Sequence, residues 1–165
     1  METNAERIDK HFFTGLPKVN LVLEANQDRL DEHFIKVLRS RSSAILSEVP
    51  PEDKKALAAS IIVLSLCIHE FKKGNQVNNL EIAIAGYEIA ATVLTRESTP
   101  EMWADCQIFF GRAYHHRFKG DRAENQERSI ACCQNALQVF TRESFPEKWA
   151  AIQNILDLLQ KRYML

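Results

Sequence analysis

The chain is predicted to fold as an all-α protein of six or seven helices arranged as antiparallel pairs. Three observations carry this. A 46-residue unit occurs almost twice, helical apolar spacing runs through each copy, and only five Gly and five Pro interrupt the 165 residues. The repeat is plainest where "TRESTPEMWADCQ", from Thr95, returns as "TRESFPEKWAAIQ", from Thr141, with nine of thirteen letters shared. At the same offset Gly74 meets Gly120, Asn79 meets Asn125, Glu81 meets Glu127, Ile84 meets Ile130, and Ala90 meets Ala136. Abundant Ala, Leu, Glu, Gln, Lys and Arg favour helix throughout, and no segment reads as a strand.

The elements follow in order. Leu16 to Leu23 suggests a short helix, about 17–25, broken near Asn26. Leu30, Phe34, Val37, Leu38 and Ile45 form a stripe at helical spacing and predict a helix over 28–48. Pro50-Pro51 breaks it, and Glu52 and Asp53 suit the positive start of the next helix, 51–73. Its apolar stretch, Ala56 to Ile68, is shorter than the roughly 18 residues of a membrane span and reads as a buried core helix. Ile84, Tyr87, Ala91 and Leu94 step by three, four and three, as do Ile130, Cys133, Leu137 and Phe140; these faces predict helices over 77–96 and 122–142. Gly120 suits a C′ position closing the helix before it, and Asp121 with Glu124 suits a capping box opening the helix after it.

The repeated stretch opens the remaining helices, 99–118 and 145–162. Ser98 with Glu101, and Ser144 with Glu147, are spaced as capping boxes. Pro100 and Pro146 fall in the first turn, where a missing N–H costs nothing. Arg96 and Arg142 are placed to complement the negative end of the preceding helix, and Trp103 and Trp149 to fill the wedge between helices. The stretch reads as a joint used twice. Two regions result: an N-terminal helical segment, 1–50, packed on a repeat domain, 51–165, with copies at about 74–119 and 120–165.

Phe110-Gly111-Arg112-Ala113-Tyr114, with Ala136 and Pro146 farther on, resembles the Leu-Gly-x-x-Tyr, Ala and Pro pattern of tetratricopeptide (TPR) repeats. The period departs from it, at about 46 residues against 34. "GDRAEN", "TRE", "PE-x-WA-x-x-Q" and "G-x-AY" together resemble a long TPR-like repeat of bacterial, notably cyanobacterial, multidomain proteins, often found beside CHAT protease domains. The resemblance covers Gly74 to about Tyr163. It implies a short right-handed solenoid of stacked helix pairs that serves protein–protein interaction, as an adaptor or scaffold. Asp157 and Gln160 stand where the first copy has Gly111 and Tyr114, as suits a terminal repeat.

In TPR-like stacks the first helices of successive pairs line a concave face. By spacing, that face would carry Asp105, Ile108, Arg112 and His115, with Asn154 and Leu158 one copy later. Its mixture of charged, polar and apolar groups suits recognition of another protein or peptide. A formal charge of −1 speaks against a dedicated nucleic-acid binder. The acidic start, "METNAERIDKHFF", does not read as a secretion signal, and Cys67, Cys106, Cys132 and Cys133 lack CxxC spacing. They read as reduced core thiols of a cytoplasmic protein. No pattern for a cofactor or catalytic site appears: no GxGxxG, P-loop, HExxH or GxSxG. Two alternatives stand beside the interaction module. One is a self-assembling scaffold, a homo-oligomer stacked through its end faces. The other is a helical enzyme or metal-binding domain using His115, His116 or a cysteine.

Overall fold

A computed structural model describes residues 17–161; residues 1–16 and 162–165, with the expectations that rest on Leu16 and Tyr163, lie outside them. Every regular element among the described residues is helical. The described residues form seven α-helices: α1 Pro17–Ala25, α2 Glu32–Glu48, α3 Pro51–Glu70, α4 Gln76–Ala91, α5 Pro100–His116, α6 Arg122–Leu137 and α7 Pro146–Lys161. The predicted second helix begins later than expected, because a 3-10 turn occupies Gln27–Arg29 and Asp31 then caps α2 by accepting from the Phe34 amide at 2.9 Å.

The most extensive packing joins α3 to α4 and α5 to α6. These tight pairs straddle the boundaries of the copies drawn at about 74–119 and 120–165. Each tight pair closes through the Gly74 or Gly120 turn, and the "TRES" joint links one pair to the next. Glycines mark where the paired helices approach. A Cβ on Gly86 of α4 would lie 1.8 Å from Ser65 Oγ of α3, and one on Gly111 of α5 would lie 3.1 Å from Cys132 Cβ of α6. Ser65 is 46 residues before Gly111, and Gly86 is 46 before Cys132. The two crossings are thus equivalent, with the glycine on opposite helices.

The turns are built alike. Gly74 and Gly120 adopt positive φ, +74° and +82°, which L side chains avoid. Both stand immediately before an N-cap, not at C′ of the preceding helix, which has already ended at Glu70 or His116. Asn75 then accepts from the Asn78 amide at 3.1 Å, and Asp121 from the Glu124 amide at 2.9 Å. Only one arm of the expected capping box forms, because the Glu124 carboxylate turns to Arg128 at 2.6 Å. Inside each turn a buried amide holds the chain: Asn79 donates to the Phe71 and Lys73 carbonyls (3.2 and 3.0 Å), and Asn125 to that of Lys119 (2.8 Å).

The joints differ most from expectation. α4 and α6 stop at Ala91 and Leu137, about five residues short of the predicted ends. The apolar spacing continues because Leu94 and Phe140 are still buried, by chain that has left the helix. Thr95 and Thr141 hydroxyls accept from the Ser98 and Ser144 amides at 3.1 and 3.3 Å, closing a local turn. The Ser98–Glu101 capping box is absent: the N-cap of α5 is Thr99, with no side-chain cap bond. Pro100 begins the helix as predicted. Arg96 does not sit on the end of α4; its guanidinium donates to the Gln138 side chain, while Arg142 lies 5.5 Å over the Trp149 ring.

Three apolar clusters run along the molecule. Tyr87, Ile84, Leu94, Ala58 and Cys106 centre the first, between α3, α4 and α5. Phe140, Cys133, Ala104, Ile152 and Leu156 centre the second, between α5, α6 and α7. Trp103 packs against both, which is the wedge expected of it. Leu23, Leu30, Ile68, Phe71 and Ile82 form the third, where α1 and α2 meet the first pair. Complete burial of a side chain such as Phe140 contributes roughly 1.5–3 kcal/mol. No helix among the described residues is long and apolar enough to cross a membrane.

Candidate functional site

Two ion pairs set three helices in a row. Arg112 on α5 donates to Glu70 at the end of α3 at 2.7 Å, with both side chains about a quarter exposed. Lys148, in the first turn of α7, reaches Asp105 on α5 at 2.8 Å and lies 4.0 Å over the Phe140 ring. Burial raises the Asp105 carboxyl above its usual pKa, and Lys148 opposes that shift. The resulting α3–α5–α7 layer carries all six predicted partner-binding residues. Ile108 is half-buried in the second cluster. Asp105 and Arg112 are engaged across helices, and His115, Asn154 and Leu158 are exposed, Leu158 to 66%.

Burial at one position of this layer changes along the row. Leu66, Arg112 and Leu158 succeed one another at 46-residue steps. Leu66 is buried, Arg112 is half-buried in its ion pair, and Leu158 projects into solvent. The face of α7 that corresponds to the α6-facing side of α5 is polar or small: Ala150, Asp157 and Gln160 are exposed.

At the far end of the layer the structure assembles residues that sequence spacing treats as separate. The His69 and His116 rings meet edge-on, with centroids 6.0 Å apart, and His115 lies 5.0 Å from His116. His69 Nδ1 and the Tyr87 hydroxyl are buried without a hydrogen-bond partner among the described residues. Burial lowers the His69 pKa to about 4, outweighing the opposite pull of Glu70, and lowers that of His116 as well. The missed signal was in the repeat itself, since His69 and Glu70 fall 46 residues before His115 and His116. Beside them Arg117 grips Glu81 of α4 through two bonds, at 2.8 and 2.9 Å, raising the arginine pKa. His115, His116 and Arg117 border a hollow of about 340 Å³ at the α5–α6 turn, with the exposed Phe118 and Arg122 on its rim.

The chemistry open to these groups is narrow. Among the described residues, no three His, Cys, Asp or Glu side chains converge as metal ligands. All four cysteines are buried. Burial pushes the thiols of Cys106 and Cys132 up to about 12 and that of Cys133 to about 11, and raises Cys67 as well. They are protonated at neutral pH and weak as nucleophiles. The chain matches no protein-family model, no curated protein and no solved structure.

Proposed function

We propose that the chain is a non-catalytic interaction module, a short TPR-like right-handed solenoid whose α3–α5–α7 layer binds another protein or peptide. The observation that carries this reading is the row of three helices tied by Arg112–Glu70 and Asp105–Lys148, with a mixed polar and apolar surface running from His115 to Leu158. Ion pairs spanning neighbouring helices pre-order such a surface and lower the entropy lost on binding. The packing order supports the stacked arrangement, since α3 lies against α5 as well as against its own partner α4. The long TPR-like repeat that the sequence resembles suggests an adaptor role beside a separate effector.

Self-assembly through the α7 end is the weaker reading. Ala150, Asp157 and Gln160 offer little apolar area to a second copy. Photo-crosslinking in native extract tests the assigned face, with the crosslinker placed at Leu158 or, on the outer side of α6, at the exposed Gln134. A partner captured from position 158 and lost on Arg112→Ala is the expected result. Capture from position 134 alone overturns the choice of face.

A further inference from the structure

We propose that the C-terminal ends of α3 and α5 form an acid-sensitive latch, in which protonation of His69 and His116 beside Arg112 parts the two helices at this end. The geometry makes the neutral imidazoles part of the contact. His69 is packed edge-on against His116 at 6.0 Å, and its buried Nδ1 has no hydrogen-bond partner among the described residues. An added proton on His69 therefore places a cation where no hydrogen bond receives it. The Arg112 guanidinium is already held there by Glu70 at 2.7 Å.

The surrounding charges do not compensate. Among the described residues, Glu70 and Lys72 face His69 from its own chain segment, and Arg112 and His116 from α5. His116 faces His115, Arg112, Glu70 and Lys72. From the other helices packed on α3 and α5, α1 brings Glu24, engaged by Lys73 at 2.8 Å, α4 brings the Tyr87 hydroxyl and Glu81, the latter engaged by Arg117, and α6 brings Arg122, a further cation, to the hollow that His116 lines. Among the described residues Glu70 is thus the one carboxylate that acts on both imidazoles, and it is shared with Arg112 and, at 3.8 Å, with Lys72.

The sign follows from linkage. Folding lowers the histidine pKa values, so the unlatched chain binds more protons. The closed latch is at full strength above about pH 6.5, the value of an unburied histidine. It weakens as pH falls toward the folded value of about 4 for His69, and loses nothing more from that group below it. Between pH 7 and pH 5, His69 alone makes opening roughly 20-fold more favourable. This inference concerns the fold and does not depend on what the α3–α5–α7 face binds.

Hydrogen exchange of the whole chain, expressed as protection factors from pH 7 to pH 5, reads the latch directly. The expected result is a fall of roughly 20-fold at amides near His69 and His116, with α6 and α7 unchanged, and loss of that fall in the His69→Gln/His116→Gln double variant. A uniform fall along the chain, or an unchanged local fall in the variant, overturns the proposal. Should the double variant not fold, imidazole titration of the native chain by NMR decides: His69 must titrate well below 6.5, and a value at or above 6.5 overturns the latch.

Discussion

α4 and α6 are one helix written twice, 46 residues apart, and they live in different surroundings. α4 buries ten residues, from Asn79 to Ala90, while α6 buries five: Asn125, Ser129, Cys132, Cys133 and Ala136. The faces turned toward the paired helix correspond closely. The outer faces do not. α2 lies across α4, pinned by Arg39 on Glu88, so Ile82 and Ile89 of α4 are covered. The matching positions of α6 are Arg128 and Asn135. Arg128 lies in solvent, bonded to Glu124 and to the Tyr114 hydroxyl at 3.0 Å. The two positions that α2 covers in α4 are thus turned in α6 to polar bonds with its own partner α5, Arg128 to Tyr114 and Asn135 to Gln107.

Exchanging residues between the two helices breaks this comparison most sharply. Ile82→Arg forces a cation beneath α2 and is expected to cost about 4 kcal/mol or more, enough to unfold the first pair. Arg128→Ile, the reverse change in α6, is expected to cost only about 1–2 kcal/mol, since its ion pair is exposed and one hydrogen bond to the Tyr114 hydroxyl is lost. Urea denaturation of both variants checks the asymmetry, and equal losses would show that α2 does not shelter α4.

The turn amides sharpen the comparison from the conserved side of the architecture. Asn79→Ala removes bonds to the Phe71 and Lys73 carbonyls, which Gln76 also reaches, and Asn125→Ala removes the bond to the Lys119 carbonyl; each should cost about 1–3 kcal/mol. The joints give the smallest effect. Thr95→Val and Thr141→Val each remove one hydroxyl that closes a local turn, for about 0.5–1.5 kcal/mol in either copy. Melting temperatures of the four variants test the equivalence, and a loss confined to one copy of either pair would break it.

Most helix starts were legible because their causes are local. Pro51, Pro100 and Pro146 each open a helix with Glu following, and Asp121 caps α6 within three residues of itself. Helix ends were less legible. Leu94 and Phe140 keep the helical rhythm while serving the core from a turn, and periodicity reports burial whether or not the backbone remains helical. The six residues proposed for the partner-binding face lie on α5 and α7. The engagement of Arg112 by Glu70 and of Asp105 by Lys148 was not legible, because those partners lie 42 and 43 residues away.

By itself the sequence determined an all-helical chain of six or seven helices, two matching glycine turns and a 46-residue period, through proline, glycine and side-chain caps that act within a few residues. It left the phase of the repeat open, because a period states that a unit recurs and not where the unit begins. Tertiary structure decided that phase through the close approaches at Gly86 and Gly111, which make pairs of α3 with α4 and α5 with α6. It also laid α2 on α4 and brought His69 to His116. These are contacts between distant segments, and their strength comes from packing and desolvation that no local pattern encodes.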